Sequence, residues 1–227
     1  MKIQDLENKI VNDDCMNILV QLDDNSVDVV ITDPPYGVRE DEWDKEFDSR
    51  YKEWLGECLR VSKYGVLWFC SVSRMHYFIK EWFSVYRRVL IWVKPPGSVV
   101  HSAHIVNRLF YKFEPILVFD KGGIVGNCEK DVGVEFDWKE VNPLSSKEYN
   151  HPTVKPEELM AWLIRHFSKR GQLVLDPFCG TGTTCKVCKE LGRRYVGIEK
   201  EEEFYKKALL NVERGCKKVV MGEVKLV

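Results

Sequence analysis

Asp33, Pro34, Pro35 and Tyr36 follow directly on the run VDVVIT, in which valine and isoleucine are nearly continuous. A β-branched run of this kind reads as a strand buried on both faces of a parallel sheet. It delivers an acid, two imides and a phenol to its carboxyl end, the side on which open α/β sheets bind ligands. The prolines fix two φ angles at about −65° and donate no N–H, so the turn is stiff and presents carbonyl oxygens without competing donors. Tyr36 adds a flat aromatic face. The tetrapeptide suits a planar, amine-bearing ring that donates hydrogen bonds to Asp33 and stacks on the tyrosine. Asp-Pro is also a common way to open a turn, so a second group of residues has to decide between chemistry and a corner.

That second group is LVLDPFCGTGTT, residues 173–184: an apolar strand, Asp176, a proline, and then Gly180 and Gly182 at the start of a helix. Glycines there let a ligand approach the backbone, and the free N–H groups of a helix start can receive a carboxylate or phosphate. The lysine of a P-loop is missing, and so is the third glycine of the dinucleotide fingerprint. The next strand ends on Glu199, seventeen residues after Gly182. An acid at one strand tip beside a glycine loop at the neighbouring tip is an arrangement that binds a ribose diol.

The elements that must position these residues alternate. Strands are expected at 9–12, 27–32, 66–70, 89–93, 116–119, 173–176 and 194–198, and helices at 14–22, 49–60, 75–86, 155–168, 182–191 and 201–214. Such alternation implies an α/β fold, a mostly parallel sheet with helices on both faces. Two stretches fit it poorly, 37–48 and about 95–150; long loops in a compact domain are usually functional, and both are expected to rim the crevice at the strand ends.

With 227 residues, 44% hydrophobic and 30% charged, the chain has room for one sizeable domain of ordinary globular composition. It carries no apolar run of membrane-spanning length and no signal-peptide pattern, which points to the cytoplasm. The eight cysteines lack the spacing of a zinc site or a disulfide framework, so no metal is expected. The net charge of −1 hides an asymmetry: 60–112 carries Arg60, Lys63, Arg74, Lys80, Arg87, Arg88, Lys94, Arg108 and Lys112 against Glu81 alone. A basic stripe of that kind suits a polyanion, although a solvated surface gives the same pattern.

In these motifs and their order the chain resembles the S-adenosylmethionine-dependent DNA amino-methyltransferases, specifically the permuted beta group in which the catalytic motif precedes the cofactor motif. DPPY at 33–36 matches the catalytic motif and DPFCGTGTT the cofactor motif, while HPTVKP at 151–156 resembles the motif just upstream of it. NDDCMNIL, VLIWVKP and FEPILVFDKG also look like family segments in family order. The resemblance implies a single Rossmann-like domain over 1–227, with seven strands, one of them antiparallel, in circularly permuted order. It makes 95–150 a target-recognition insert and 37–48 a mobile active-site loop.

It further implies that Asp33 and the Pro34 carbonyl accept the target amine, with Pro35 holding the turn and Tyr36 stacked on a nucleotide flipped out of double-stranded DNA. Asp176, Phe178, Gly180, Thr181 and Gly182 would line the cofactor. Glu199 would bind its ribose, Asp14 its adenine amine, and Thr153 and Lys155 would lie near its methionine end. An acid at position 33 resembles the adenine-N6 enzymes, whereas cytosine-N4 enzymes more often have serine there. Cytosine-N4, structured RNA and protein glutamine stay open as targets, as does a non-catalytic nucleotide-binding module. A homodimer and a restriction nuclease partner are open as well.

Overall fold

A computed structural model describes residues 2–35, 47–96, 112–144 and 154–216. Tyr36, Thr153, most of the 37–48 loop and the stretches 97–111 and 145–150 lie outside the described residues. All seven expected strands are present: β1 (Lys9–Asn12), β2 (Val27–Thr32), β3 (Ser62–Phe69), β4 (Tyr86–Val93), β5 (Phe113–Asp120), β7 (Leu173–Asp176) and β8 (Arg194–Glu199). An eighth, β6 (Trp138–Glu140), was not legible in the sequence. Its residues are polar or exposed, and Phe136 and Trp138 stack on each other at the surface with ring centroids 5.8 Å apart. Pairing of Ile91 with Trp138 along the sheet edge, not burial, makes it a strand.

The sheet runs β1-β8-β7-β2-β3-β5-β4-β6. Every neighbouring pair is parallel except those of β5, which is antiparallel to both β3 and β4. The expected single antiparallel strand is therefore β5. The six expected helices are α1 (Cys15–Leu19), α2 (Phe47–Val61), α3 (Met75–Glu81), α4 (Glu157–Phe167), α5 (Thr183–Glu190) and α6 (Glu202–Arg214). Helix α3 stops five residues short of the sequence expectation because Tyr86 is already extended and paired with Phe119.

The alternation of side chains along each strand divides the interior into two layers. Val29, Ile31, Leu67 and Phe69 face α4, α5 and α6, where Leu159, Leu163, Val187 and Ala208 are buried. Val30, Val66, Trp68 and Leu175 face α1, α2 and α3, against Leu19, Leu55, Cys58 and Phe78. Burial on both sides is why the central strands read as continuous apolar runs. Among the described residues no helix is long and apolar enough to cross a membrane.

Strand direction sorts the loops. β5 starts beside the carboxyl end of β4 and finishes at the amino ends of its neighbours, so residues 121–137 cross the sheet at the end opposite Asp33. The expectation that 95–150 rims the crevice on both sides of its strand is thus corrected: 121–137, after β5, belongs to the far end. There Lys121 donates to the Ser62 carbonyl at 2.6 Å, and Asn127 to the Phe167 carbonyl at 3.0 Å. The basic stripe divides the same way. Arg60, Lys63, Arg87 and Arg88 lie at the amino ends of β3 and β4, and Arg60 is already paired with Asp24 and Glu57. Lys94 and Lys112 lie at the carboxyl end of β4, joined by a backbone hydrogen bond of 2.7 Å.

Gly182, at the N-terminus of α5, has φ of 79°, and a Cβ there would meet Ala208 Cβ on α6 at 2.9 Å. Its hydrogen therefore serves helix packing and a left-handed turn. Gly182→Ala is expected to destabilise the fold by about 2–4 kcal/mol, from left-handed strain together with overpacking. A urea-unfolding midpoint unchanged from the parent protein would contradict this.

Candidate active site

Strands β2 and β7 are adjacent in the middle of the sheet, and their following connections leave in opposite directions: β7 leads through α5 to β8, and β2 through α2 to β3. This is the switch point at which doubly wound sheets open a crevice. Asp33 emerges there from β2, Asp176 ends β7, and Glu199 ends β8 one strand further out. They border a cavity of about 120 Å³ that Asp14, Pro35, Lys155, Phe178, Gly180 and Thr181 also line. Pro34 is buried behind it.

Asp176 is 4% exposed. Its Oδ1 accepts from Thr32 Oγ1 at 2.7 Å and from the Phe178 N–H at 3.2 Å, and its Oδ2 accepts from Thr184 Oγ1 at 2.5 Å. The carboxyl thus ties β2, the glycine loop and α5 together, a structural task that the ligand-lining reading did not include. Burial outweighs these hydrogen bonds and pushes its pKa up to about 6.

Glu199 uses both oxygens to shape the glycine loop. Oε2 accepts from the Gly180 N–H at 2.9 Å and Oε1 from the Glu201 N–H at 2.8 Å. Burial raises its pKa despite both bonds. Glu199 also lines the cavity. Asp14 caps α1 by accepting from the Met16 N–H at 2.8 Å and pairs with Arg50 at 3.1 Å. Burial alone would raise the Asp14 carboxyl, but Arg50 and the Met16 N–H hold it below its usual value. Arg50 lies over the Trp54 ring, which meets Phe178 edge-on with centroids 5.0 Å apart. Neither Arg50 nor Trp54 stood out in the sequence, because α2 carries them as ordinary members of an amphipathic helix.

Lys155 joins the cavity to the proline turn. It lines the cavity, but its ammonium is directed at the acid of the proline turn: Nζ donates to Asp33 Oδ2 and lies 3.4 Å from Glu114 Oε2. Glu114 in turn pairs with Lys94 at 2.6 Å. Lys155 is 8% exposed. Burial alone would lower its pKa, but Asp33 and Glu114 outweigh burial and hold it charged. For Glu114 burial acts upward, and Lys155 and Lys94 outweigh it and keep it ionised. The result is a row of alternating charge, Lys94, Glu114, Lys155, Asp33, in which Lys155 is buried and the other three are half-buried. Gly182 is also corrected: it faces α6 and does not line the cavity.

A profile of the DNA methylase family that modifies exocyclic N6 or N4 groups matches residues 27–210, from the first residue of β2 into α6. The chain belongs to this N6/N4 DNA methylase family. The methylase is 29% identical to the type II methyltransferase M.HinfI of Haemophilus influenzae, over 89% of this chain and 67% of that one. It is 28% identical to M.BglII of Bacillus subtilis, over 87% and 66%, so it spans about two thirds of the length of these two relatives. The putative methylase YubD of Escherichia coli K12 is 30% identical, with 87% of each chain covered. Among solved structures, the complex of M1.HpyAVI with SAM superposes with a TM-score of 0.69 at 27% identity, covering 89% of this chain and 98% of that one. The cytosine-N4-specific PvuII DNA methyltransferase shares the fold, with a TM-score of 0.70 at 16% identity over 89% and 85%.

The pH dependence of this methylase's stability should carry the signature of Asp176. A carboxyl whose folded pKa lies above its unfolded value supports the native state while protonated and loses that contribution as pH rises through the folded value. Asn can keep the acceptor for Thr32 and the Phe178 N–H while removing the charge. Between pH 4 and pH 7 the stability of Asp176→Asn relative to the parent is expected to rise by roughly 2–3 kcal/mol, set by the shift from 3.8 to about 6. Urea titrations at both pH values measure it, and a constant difference would contradict the account.

Proposed function

We propose that this methylase transfers a methyl group from S-adenosylmethionine to the exocyclic N6 of an adenine turned out of double-stranded DNA. The observation that carries the reading is the Asp33 carboxylate, set on a rigid proline turn at the switch point and directly beside the cavity bordered by Glu199 and the Gly180 loop.

The residues suit this cofactor. Glu199 offers buried carboxylate lone pairs for ribose hydroxyls, Phe178 an apolar face for adenine, and Asp14 an acceptor at the cavity wall for its amine. When bound, the cofactor supplies an activated methyl on a sulfonium that departs as a neutral thioether. The chain's own task is positioning and charge. A ring amine is a weak nucleophile because its lone pair is conjugated with the ring. Hydrogen bonds from its two N–H groups to Asp33 and to the Pro34 carbonyl draw the nitrogen toward tetrahedral geometry and direct the lone pair at the methyl. Asp33 then takes the released proton. A base inside a duplex cannot reach the crevice, so the nucleotide must leave the stack, with Tyr36 as the proposed stacking partner.

We assign target reading to 95–111 and 141–150, whose flanking residues Lys94, Lys112 and Val141 lie at the Asp33 end of the sheet. A cytoplasmic enzyme is the natural setting.

The test is to incubate the protein with S-adenosylmethionine and unmethylated duplex DNA, digest to nucleosides and identify the product by mass spectrometry. N6-methyladenine is expected, and Asp33→Ala should lower turnover by about a hundredfold or more. N4-methylcytosine would overturn the base while keeping the mechanism. Full turnover in Asp33→Ala would overturn the mechanism itself.

A further inference from the structure

Glu114 carried no signal in the sequence, yet it is the second residue of β5 and sits between the two lysines of the charge row. Its Oε1 accepts from Lys94, while its Oε2 is buried without a hydrogen-bond partner. Buried carboxylate oxygens are seldom left so, and this one calls for an explanation. The nearest cation is the Lys155 ammonium, 3.4 Å away. That ammonium is bonded to Asp33 and lies over the rings of Phe69 and Trp92, 5.1 Å and 5.8 Å from their centroids.

We propose that Glu114 is a positioning residue that receives the Lys155 ammonium when the target amine takes its place on Asp33. The proposal rests on the reading of Asp33 as the acceptor of that amine. Without a base, Lys155 neutralises Asp33 and holds the proline turn. An arriving amine needs the same carboxylate, so Lys155 releases Oδ2 and moves the short distance to the open oxygen of Glu114. Lys94 keeps Oε1, and Glu114 then carries a donor on each oxygen, while Asp33 exchanges its cation for the N–H groups of the amine.

The handover also serves the chemistry. As the new N–C bond forms, the bond from the methyl carbon to sulfur breaks and its electron pair stays on sulfur. The nitrogen, now cationic, gives a proton to Asp33. A carboxylate in contact with an ammonium is a poor proton acceptor, and one released by it is a better one. Glu114 thus withdraws the cation from Asp33 at the stage when Asp33 must accept.

Glu114→Gln in the full chain keeps the size of the side chain and an acceptor for Lys94 but removes the charge that draws Lys155 away. It is expected to lower kcat by about tenfold or more, with KM for DNA and Kd for S-adenosylmethionine changed by no more than about twofold, and Glu114→Asp should recover part of the rate. An unchanged kcat, or a loss confined to cofactor binding, overturns the proposal. Because a buried substitution can impair folding, a second measurement needs no variant. In a crystal structure of the parent protein with S-adenosylhomocysteine and a duplex it methylates, Lys155 should lie on Glu114 and the target amine on Asp33. Lys155 still on Asp33 with the base bound overturns it. Asp33→Ala assayed in parallel separates the two failures: turnover surviving in that variant rejects the Asp33 reading. Turnover lost there but unchanged in Glu114→Gln rejects the handover alone.

Discussion

The hydrogen bond from Thr32 to Asp176 closes the joint on which the site depends. It spans 144 residues of sequence and links the last residue of β2 to the last of β7. At the other end of the same pair, Asp28 accepts from the Leu173 N–H at 2.8 Å. Between them, Val29 pairs with Val174 and Val30 with Leu175. Parallel pairing fixes the register of two distant segments, and a slip of one residue would turn each apolar set to the wrong face. With the register fixed, the proline turn after β2 and the glycine loop after β7 necessarily open at one end of the sheet, side by side. The crevice is a consequence of that pairing.

The charges at the crevice follow from the same geometry. Burial raises the pKa of Asp176 because its neighbours are hydroxyls and an N–H, whereas Lys155 and Glu114 stay charged because each faces an opposite charge. Two kinds of buried acid therefore sit within one cleft. One holds strands together, and the other belongs to an ion-pair row that reaches Asp33. Burying an ion pair brings a desolvation cost that packing residues would avoid, so such a row is better understood by its use at the site than as a source of stability.

Much of this was legible in the sequence. Continuous β-branched runs gave the central strands, since strands buried on both faces must be apolar at every position, and DPPY with DPFCGTGTT marked the two turns. What stayed hidden was set by long-range contacts. β6 exists because Ile91 offers an edge, and its own exposed residues carry no strand pattern. Gly182 resembled a ligand-facing glycine, but the side chain it must avoid, Ala208, comes from a helix later in the chain. Lys155 was legible as a site residue, but the partners of its ammonium were not, because Asp33 follows β2 and Glu114 lies in β5, both far from it in sequence. Glu114 had no local signal at all: an acid before a proline at the start of a strand looks like any surface charge until β4 and the segment before α4 place a lysine on each side of it.

The proline turn and the glycine loop are proposed to serve one site with a defined polarity, from Glu199 to Asp33. A crystal structure of the protein with S-adenosylmethionine tests it most directly. The ribose hydroxyls should rest on Glu199 and the methyl should point toward Asp33. A cofactor bound in the reverse sense, or away from the Gly180 loop, would contradict it.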